Sequence, residues 1–236
     1  MYTGHFAAGL ALTARERRVS PWAIFVGVGF IDLLDGALVA AGVERVKPDL
    51  AVPLGFDLDF IDWDHSLLMA CVWSLVFGLG AYWVFGRDRR TGAFAGLAAI
   101  SHIVLDLVVH NGDIALYPYA RTHLGLYVWR DYPTGSYFLE LALDLACAAY
   151  FVVRGRKAGV PAKWIAAPVA LLLFIHLNWW PPLNPMRLVA AHVPMPRAMT
   201  IHGMLVVAGF VVPGLIFGWL CIDRANKKAT AKITTT

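Results

Sequence analysis

Cysteine is scarce in this chain: Cys71, Cys147 and Cys221 are the three in 236 residues. All lie in apolar stretches and none forms a CxxC pair, so neither a disulfide framework nor a thiolate zinc site is expected. Charge is scarce too. Asp, Glu, Lys and Arg make up 15% of the residues, 59% are hydrophobic, and the mean hydropathy is +0.62. Soluble domains run at about 25% charged and about 45–50% apolar, so a water-soluble fold of this size would lack polar surface. No apolar/polar alternation is long enough for a barrel, which leaves helices as the spanning elements. No inverted repeat is evident, which argues against a transporter. No basic segment precedes the first apolar stretch, so a cleaved signal is not expected.

Long apolar runs fill the chain instead. Six reach the roughly 20 residues that a hydrocarbon layer requires: 22–41, 65–85, 92–109, 136–153, 164–180 and 200–222. The expected fold is all-α, a polytopic membrane bundle with a short N-terminal helix and six transmembrane helices. It forms one domain over 1–225, with a flexible cytoplasmic tail at 226–236 rich in Lys and Thr. Every second junction is basic: Arg15, Arg17 and Arg18; Arg87, Arg89 and Arg90; Arg154, Arg156 and Lys157; Arg224, Lys227 and Lys228. By the positive-inside rule these clusters and the C-terminus face the cytoplasm. The net charge of +4 then reads as membrane anchoring, with no nucleic-acid partner.

Within the apolar runs a few polar residues stand out. His102, Asp106 and His110 recur every four residues, on one helix face. Asp32 and Asp35 interrupt GVGFIDLLDGAL, where a carboxylate costs about 2.5–3.5 kcal/mol unless it meets a partner, a cavity or an ion. Counted at 1.5 Å per residue from Arg15, Arg18 and Arg90, His5 lies about 15 Å deep, Asp32 about 20 Å, His102 about 18 Å and Asp106 about 24 Å. Asp64, His65 and Ser66 open the second span at its far end, which His110 also approaches. These residues form a nitrogen and oxygen donor set for a divalent transition metal, one that suits zinc, manganese or iron, between which affinity rules alone do not choose. The expected metal-site core is 1–110, with His5, Asp32, His65, His102, Asp106 and His110 as ligands, in the outer half of the membrane. Asp35 and Asp64 are expected to accept protons. His176, His192 and His202 are read by default as packing residues, His123 as a solvated loop residue, and the run Asp57, Asp59, Asp62 as a solvated loop.

The motifs resemble those of the bacterial inner-membrane metal-dependent hydrolases. That family has an N-terminal GH before a short apolar helix, paired aspartates, a THS-type motif, and SHxxxD followed by a small loop and an aromatic-Pro pair. This chain shows Gly4-His5, Asp32 with Asp35, His65-Ser66, Ser101-His102 with Asp106, and Tyr117-Pro118. The order agrees over residues 1–118. Departures are local: the aspartate pair lacks the PDxD spacing, Phe60, Ile61 and Asp64 stand where the family has His, Arg and Thr, and His110 replaces a frequent proline. The HxxxD element also looks distantly like the zinc-dependent phospholipase C and single-strand nuclease superfamily.

The resemblance implies a membrane-embedded metal-dependent hydrolase in the bacterial inner membrane, acting on a phosphoester or lipid phosphate, with membrane lipids around it. Arg121 and Arg130, in the loop after His110, are candidate substrate contacts. Two other classes stay open: a non-catalytic metal-binding subunit with a membrane-protein partner or a second copy of itself, and an ion or proton carrier.

Overall fold

The computed structural model describes residues 1–52, 55–179 and 185–222. Helix α1 (Tyr2–Arg15) leads into α2 (Pro21–Val28), which opens on a proline whose missing N–H costs nothing there, and α3 (Phe30–Ala40). A hairpin of β1 (Arg45–Pro48) and β2 (Phe56–Phe60) pairs antiparallel and runs into the short α4 (Asp62–His65). Helices α5 (Leu67–Val84) and α6 (Arg89–Val109) form an antiparallel pair. The strands β3 (Ile114–Ala115) and β4 (His123–Leu124) and the one-turn α7 (Val128–Asp131) follow. The chain then adds α8 (Pro133–Lys157), α9 (Ala162–Trp179), α10 (Pro185–His192) and α11 (Arg197–Leu220).

Four helices, α5, α6, α8 and α11, are long and apolar enough to cross a membrane, or five spans if α2 and α3 count as one bent crossing. Among the described residues the expected count of six is therefore not confirmed. Within the described residues the apolar part of α9 is Ala162–Asn178, and the expected span at 164–180 reaches the edge of those residues. The expected single span at 22–41 is bent by 49° between α2 and α3. Gly29 sits at that break, and a β-carbon there would lie 2.5 Å from the Phe210 ring of α11. The tail at 226–236 lies outside the described residues.

Apolar side chains face outward along the long helices: Leu75, Val84, Val104 and Met204 are each more than half exposed, the surface expected of helices bathed in lipid. Inside, Phe6, Phe25, Phe210 and Phe217 stack, with Phe6–Phe217 and Phe25–Phe217 centroids 5.3 and 5.1 Å apart. The arginine-bearing ends gather together: Arg90 lies 3.8 Å from Glu16, and the Arg154 side chain donates to the Ala14 carbonyl at 3.5 Å. The opposite end carries the β-hairpin, α4 and the β3–β4 loop. These are tied down by Leu68 N–H to Leu116 C=O (3.1 Å) and Tyr119 N–H to the Asp62 carboxylate (2.7 Å).

Candidate metal centre

The cluster sits toward the hairpin end, where the first turns of α1 and α3 meet the last turns of α6 and the mouth of α5. His102 and Asp106 come from α6, and His110 caps that helix. The break after α2 leaves the Val28 carbonyl without a helical donor, and the His102 Nδ1 supplies one at 2.7 Å. The bend therefore also fixes an imidazole. His65 closes α4 with its Nδ1 on Asp64 Oδ1 at 2.8 Å, and His110 Nδ1 rests on Asp113 Oδ1 at 2.8 Å. A carbonyl or carboxylate oxygen can only accept, so all three rings carry the proton on Nδ1 and turn Nε2 inward. This is the arrangement in which metal-binding histidines are oriented.

The inward nitrogens surround Asp106. His102 Nε2 lies 2.9 Å from its Oδ2 and His65 Nε2 3.9 Å from the same atom; His5 Nε2 lies 3.3 Å and His110 Nε2 3.9 Å from Oδ1. The Met1 amino group also reaches Asp106 Oδ1. Asp32 bridges the same rings, with its two oxygens 3.5 Å from His65 Nε2 and 3.5 Å from His102 Nε2. The His5 and His102 rings stack at 3.8 Å. Two triplets, His5–Asp32–His102 and His65–Asp106–His110, each bring ligand atoms within 4.8 Å of one another and could hold a metal ion.

The donor set fits a metal on a further count. His102 Nε2 is fully buried and makes no aligned hydrogen bond, although it faces a carboxylate oxygen. Two electron-rich atoms in that position need a proton or a metal ion between them. Ligand atoms around a tetrahedral zinc stand about 3.3 Å apart, given bond lengths of about 2.0–2.1 Å. The 3.3 and 3.5 Å separations here are close to that.

All six residues expected as ligands are thus brought together. The two expected proton acceptors lie to one side, grouped with His65: Asp64 takes the Nδ1 hydrogen of that ring, and Asp35 is next to it. Arg130 lines a cavity of about 480 Å³ together with Asn111, Asp113, His123 and Asp62. Arg121 is exposed on the loop and does not line it. The run Asp57, Asp59, Asp62 lines that cavity as well, and Asp59 is held below the usual carboxylate range by Lys47, 2.5 Å away. His123 stands 4.0 Å from Asp62, and His202 packs on the Phe56 ring at 4.4 Å. His192 donates from its Nδ1 to the Leu188 carbonyl one turn back, at 3.0 Å. His176 belongs to a separate buried group, 2.9 Å from Asp144 and 3.0 Å from the Thr3 hydroxyl, where α1, α8 and α9 meet. Gly4 N–H donates to Glu140 in the same region.

Asp113 and Glu44, beside the centre, escaped the sequence reading, as did Glu140 and Asp144 inside α8; the first two lie in loops. Asp113 orients His110; burial alone would raise its pKa, but the imidazole holds it below the usual range. Glu44 accepts the Trp63 N–H at 2.8 Å and is pushed up to about 9 by burial and by the facing Asp64. Neither interrupts an apolar span, so neither carried a signal. Replacing Asp113 with Asn should weaken metal affinity about 10–100-fold, the usual cost of losing a carboxylate behind a ligand histidine. Asp59→Asn should leave it unchanged. Competition with a chromophoric chelator measures both, and equal affinities would remove Asp113 from the centre.

No family model, curated protein or solved structure matches this chain.

Proposed function

We propose that this protein is a membrane-embedded metal-dependent hydrolase of the bacterial inner membrane that cleaves a phosphoester, with a lipid phosphate as substrate class. The observation supporting it most is the set of four imidazole Nε2 atoms around Asp106, three of them fixed from behind by an oxygen acceptor. His5, His65, His102, His110 and Asp106 would hold the ion, zinc by preference. A divalent metal there supplies Lewis acidity and makes water a nucleophile near neutral pH. Asp32 is the cluster's partly open carboxylate, 20% exposed where Asp106 is 2%. It is therefore better placed than Asp35 or Asp64 to take a proton from arriving water. Arg130, at the adjoining cavity, is the candidate contact for a phosphoryl oxygen.

The test is phosphate or headgroup release by zinc-loaded protein in mixed micelles, compared with His102→Ala and Asp32→Asn. Both variants should lose at least about 100-fold in rate, the size of a general-base contribution. If the metal is held and no ester in a broad panel turns over, the centre is a structural one in a non-catalytic subunit.

The basic ends belong in the cytoplasm on this reading, with the site opening outward. Single cysteines placed at Asp57 or Asn111 in a thiol-free background should react with an impermeant reagent added outside intact cells. Labelling only after permeabilisation inverts the topology.

A further inference from the structure

Beside the imidazole ring lies a pocket of a different character. Asp35 of α3, Glu44 just beyond that helix, and Asp64 of α4 are 5%, 0% and 0% exposed. Each keeps one fully buried oxygen, Asp35 Oδ1, Glu44 Oε2 and Asp64 Oδ2, that no N–H or hydroxyl donor reaches, and the Glu44 and Asp64 carboxyl groups stand within hydrogen-bond reach of each other. The other oxygens of Glu44 and Asp64 are taken, by the Trp63 N–H and the His65 Nδ1. Asp35, Asp64 and His65 offer ligand atoms within 4.8 Å of one another, and the Glu44 carboxyl lies against Asp64. The charged neighbours that act on Asp35 are Asp64, Asp32, Glu44 and His65. The nearby cations are committed elsewhere: Lys47 and Arg45 both bind Asp59, at 2.5 and 3.5 Å.

Three buried carboxyl groups and one imidazole lie together here with no lysine or arginine paired to them among the described residues, so either protons or a bound cation must neutralise them. Buried carboxylates are paired, coordinate a metal, or lose their charge, because an unpaired one costs several kcal/mol. Their free atoms are all oxygens, whereas the neighbouring ring offers four nitrogens. Oxygen-only donor sets select hard cations of the Mg²⁺, Mn²⁺ and Ca²⁺ class, and imidazole suits zinc. We infer that Asp35, Glu44 and Asp64 form a second cation site, for a hard divalent ion, separate from the imidazole centre and joined to it through His65. The site does not depend on the hydrolase reading and stands or falls by binding alone. Its ion would fix Asp64, and through Asp64 the ring of His65.

Mn²⁺ is the probe, since its electron paramagnetic resonance signal falls on binding. The full chain in detergent, first saturated with zinc, should bind one Mn²⁺ per chain, with Ca²⁺ competing. Glu44→Gln keeps the size and the acceptor for Trp63 N–H but loses the charge; it should weaken Mn²⁺ at least about tenfold and leave zinc stoichiometry intact. His102→Ala should do the reverse, losing zinc and keeping Mn²⁺, which separates failure of this site from failure of the imidazole centre. Asp35→Asn repeats the Glu44 measurement on a different helix if Glu44→Gln does not fold. No Mn²⁺ bound by zinc-saturated protein, or equal Mn²⁺ affinity in the carboxamide variants, overturns the proposal and leaves these groups sharing protons.

Discussion

Asp106→Ala should abolish metal binding while His123→Ala leaves it untouched. Asp106 is 2% exposed and stands within 3.9 Å of four imidazole nitrogens, two facing each oxygen. Its removal takes away the carboxylate common to the whole cluster and leaves buried rings facing a void. Losing an outer carboxylate such as Asp113 already costs about 10–100-fold in affinity, so the loss here should exceed about 100-fold. His102→Ala should behave similarly, since that ring is fully buried and contacts both Asp32 and Asp106. His123 is 38% exposed and makes its nearest carboxylate approach to Asp62 at 4.0 Å, outside the cluster. Elemental analysis of purified protein, paired with thermal melts to confirm folding, reads the difference. Folded Asp106→Ala protein with a full complement of zinc would remove Asp106 from the coordination sphere and with it the proposed function.

The centre was legible because its members are conspicuous where they sit. A carboxylate or imidazole inside an apolar span needs a reason, and counting helical rise from the arginine ends put His5, Asp32, His102 and Asp106 at comparable depth before any contact was known. Glu44 and Asp113 were not legible on those grounds. Both lie in loops outside the apolar runs, where acidic residues are ordinary, and their role comes from pairings with Trp63, Asp64 and His110 that only the fold creates. The bend between α2 and α3 was hidden for a similar reason. Hydropathy sees one run of sufficient length, whereas the break depends on Phe210, about 180 residues further on, lying against Gly29.

Gly203→Ala should be the most damaging methyl group that can be added to this protein away from the metal centre. Helices α3 and α11 cross with their backbones touching. A β-carbon at Gly203 would overlap the Gly36 carbonyl and lie 2.8 Å from Ala40 N, and one at Gly36 would lie 2.6 Å from the Gly203 carbonyl. Neither obstacle is a side chain that can swing away, so the helices must separate. In a membrane such small-residue contacts hold helices together by close packing, with no hydrophobic gain to compensate for a gap. Overpacking of this kind costs about 1–3 kcal/mol or more. The displaced helix carries Asp32, whose oxygens stand 3.5 Å from the zinc-holding rings of His65 and His102, so Gly203→Ala should disturb those rings and lower zinc affinity as well as the melting temperature. Gly80→Ala is the matched control: it lies inside α5 with nothing within 4 Å of the added carbon. Alanine is there the better helix former by about 1 kcal/mol. Detergent-phase melts of the two variants should diverge in opposite directions from the parent, while zinc affinity falls in Gly203→Ala and stays unchanged in Gly80→Ala. A Gly203→Ala protein that melts with the parent and binds zinc as tightly would mean that α3 and α11 are not in backbone contact, and that α11 does not hold Asp32 in place.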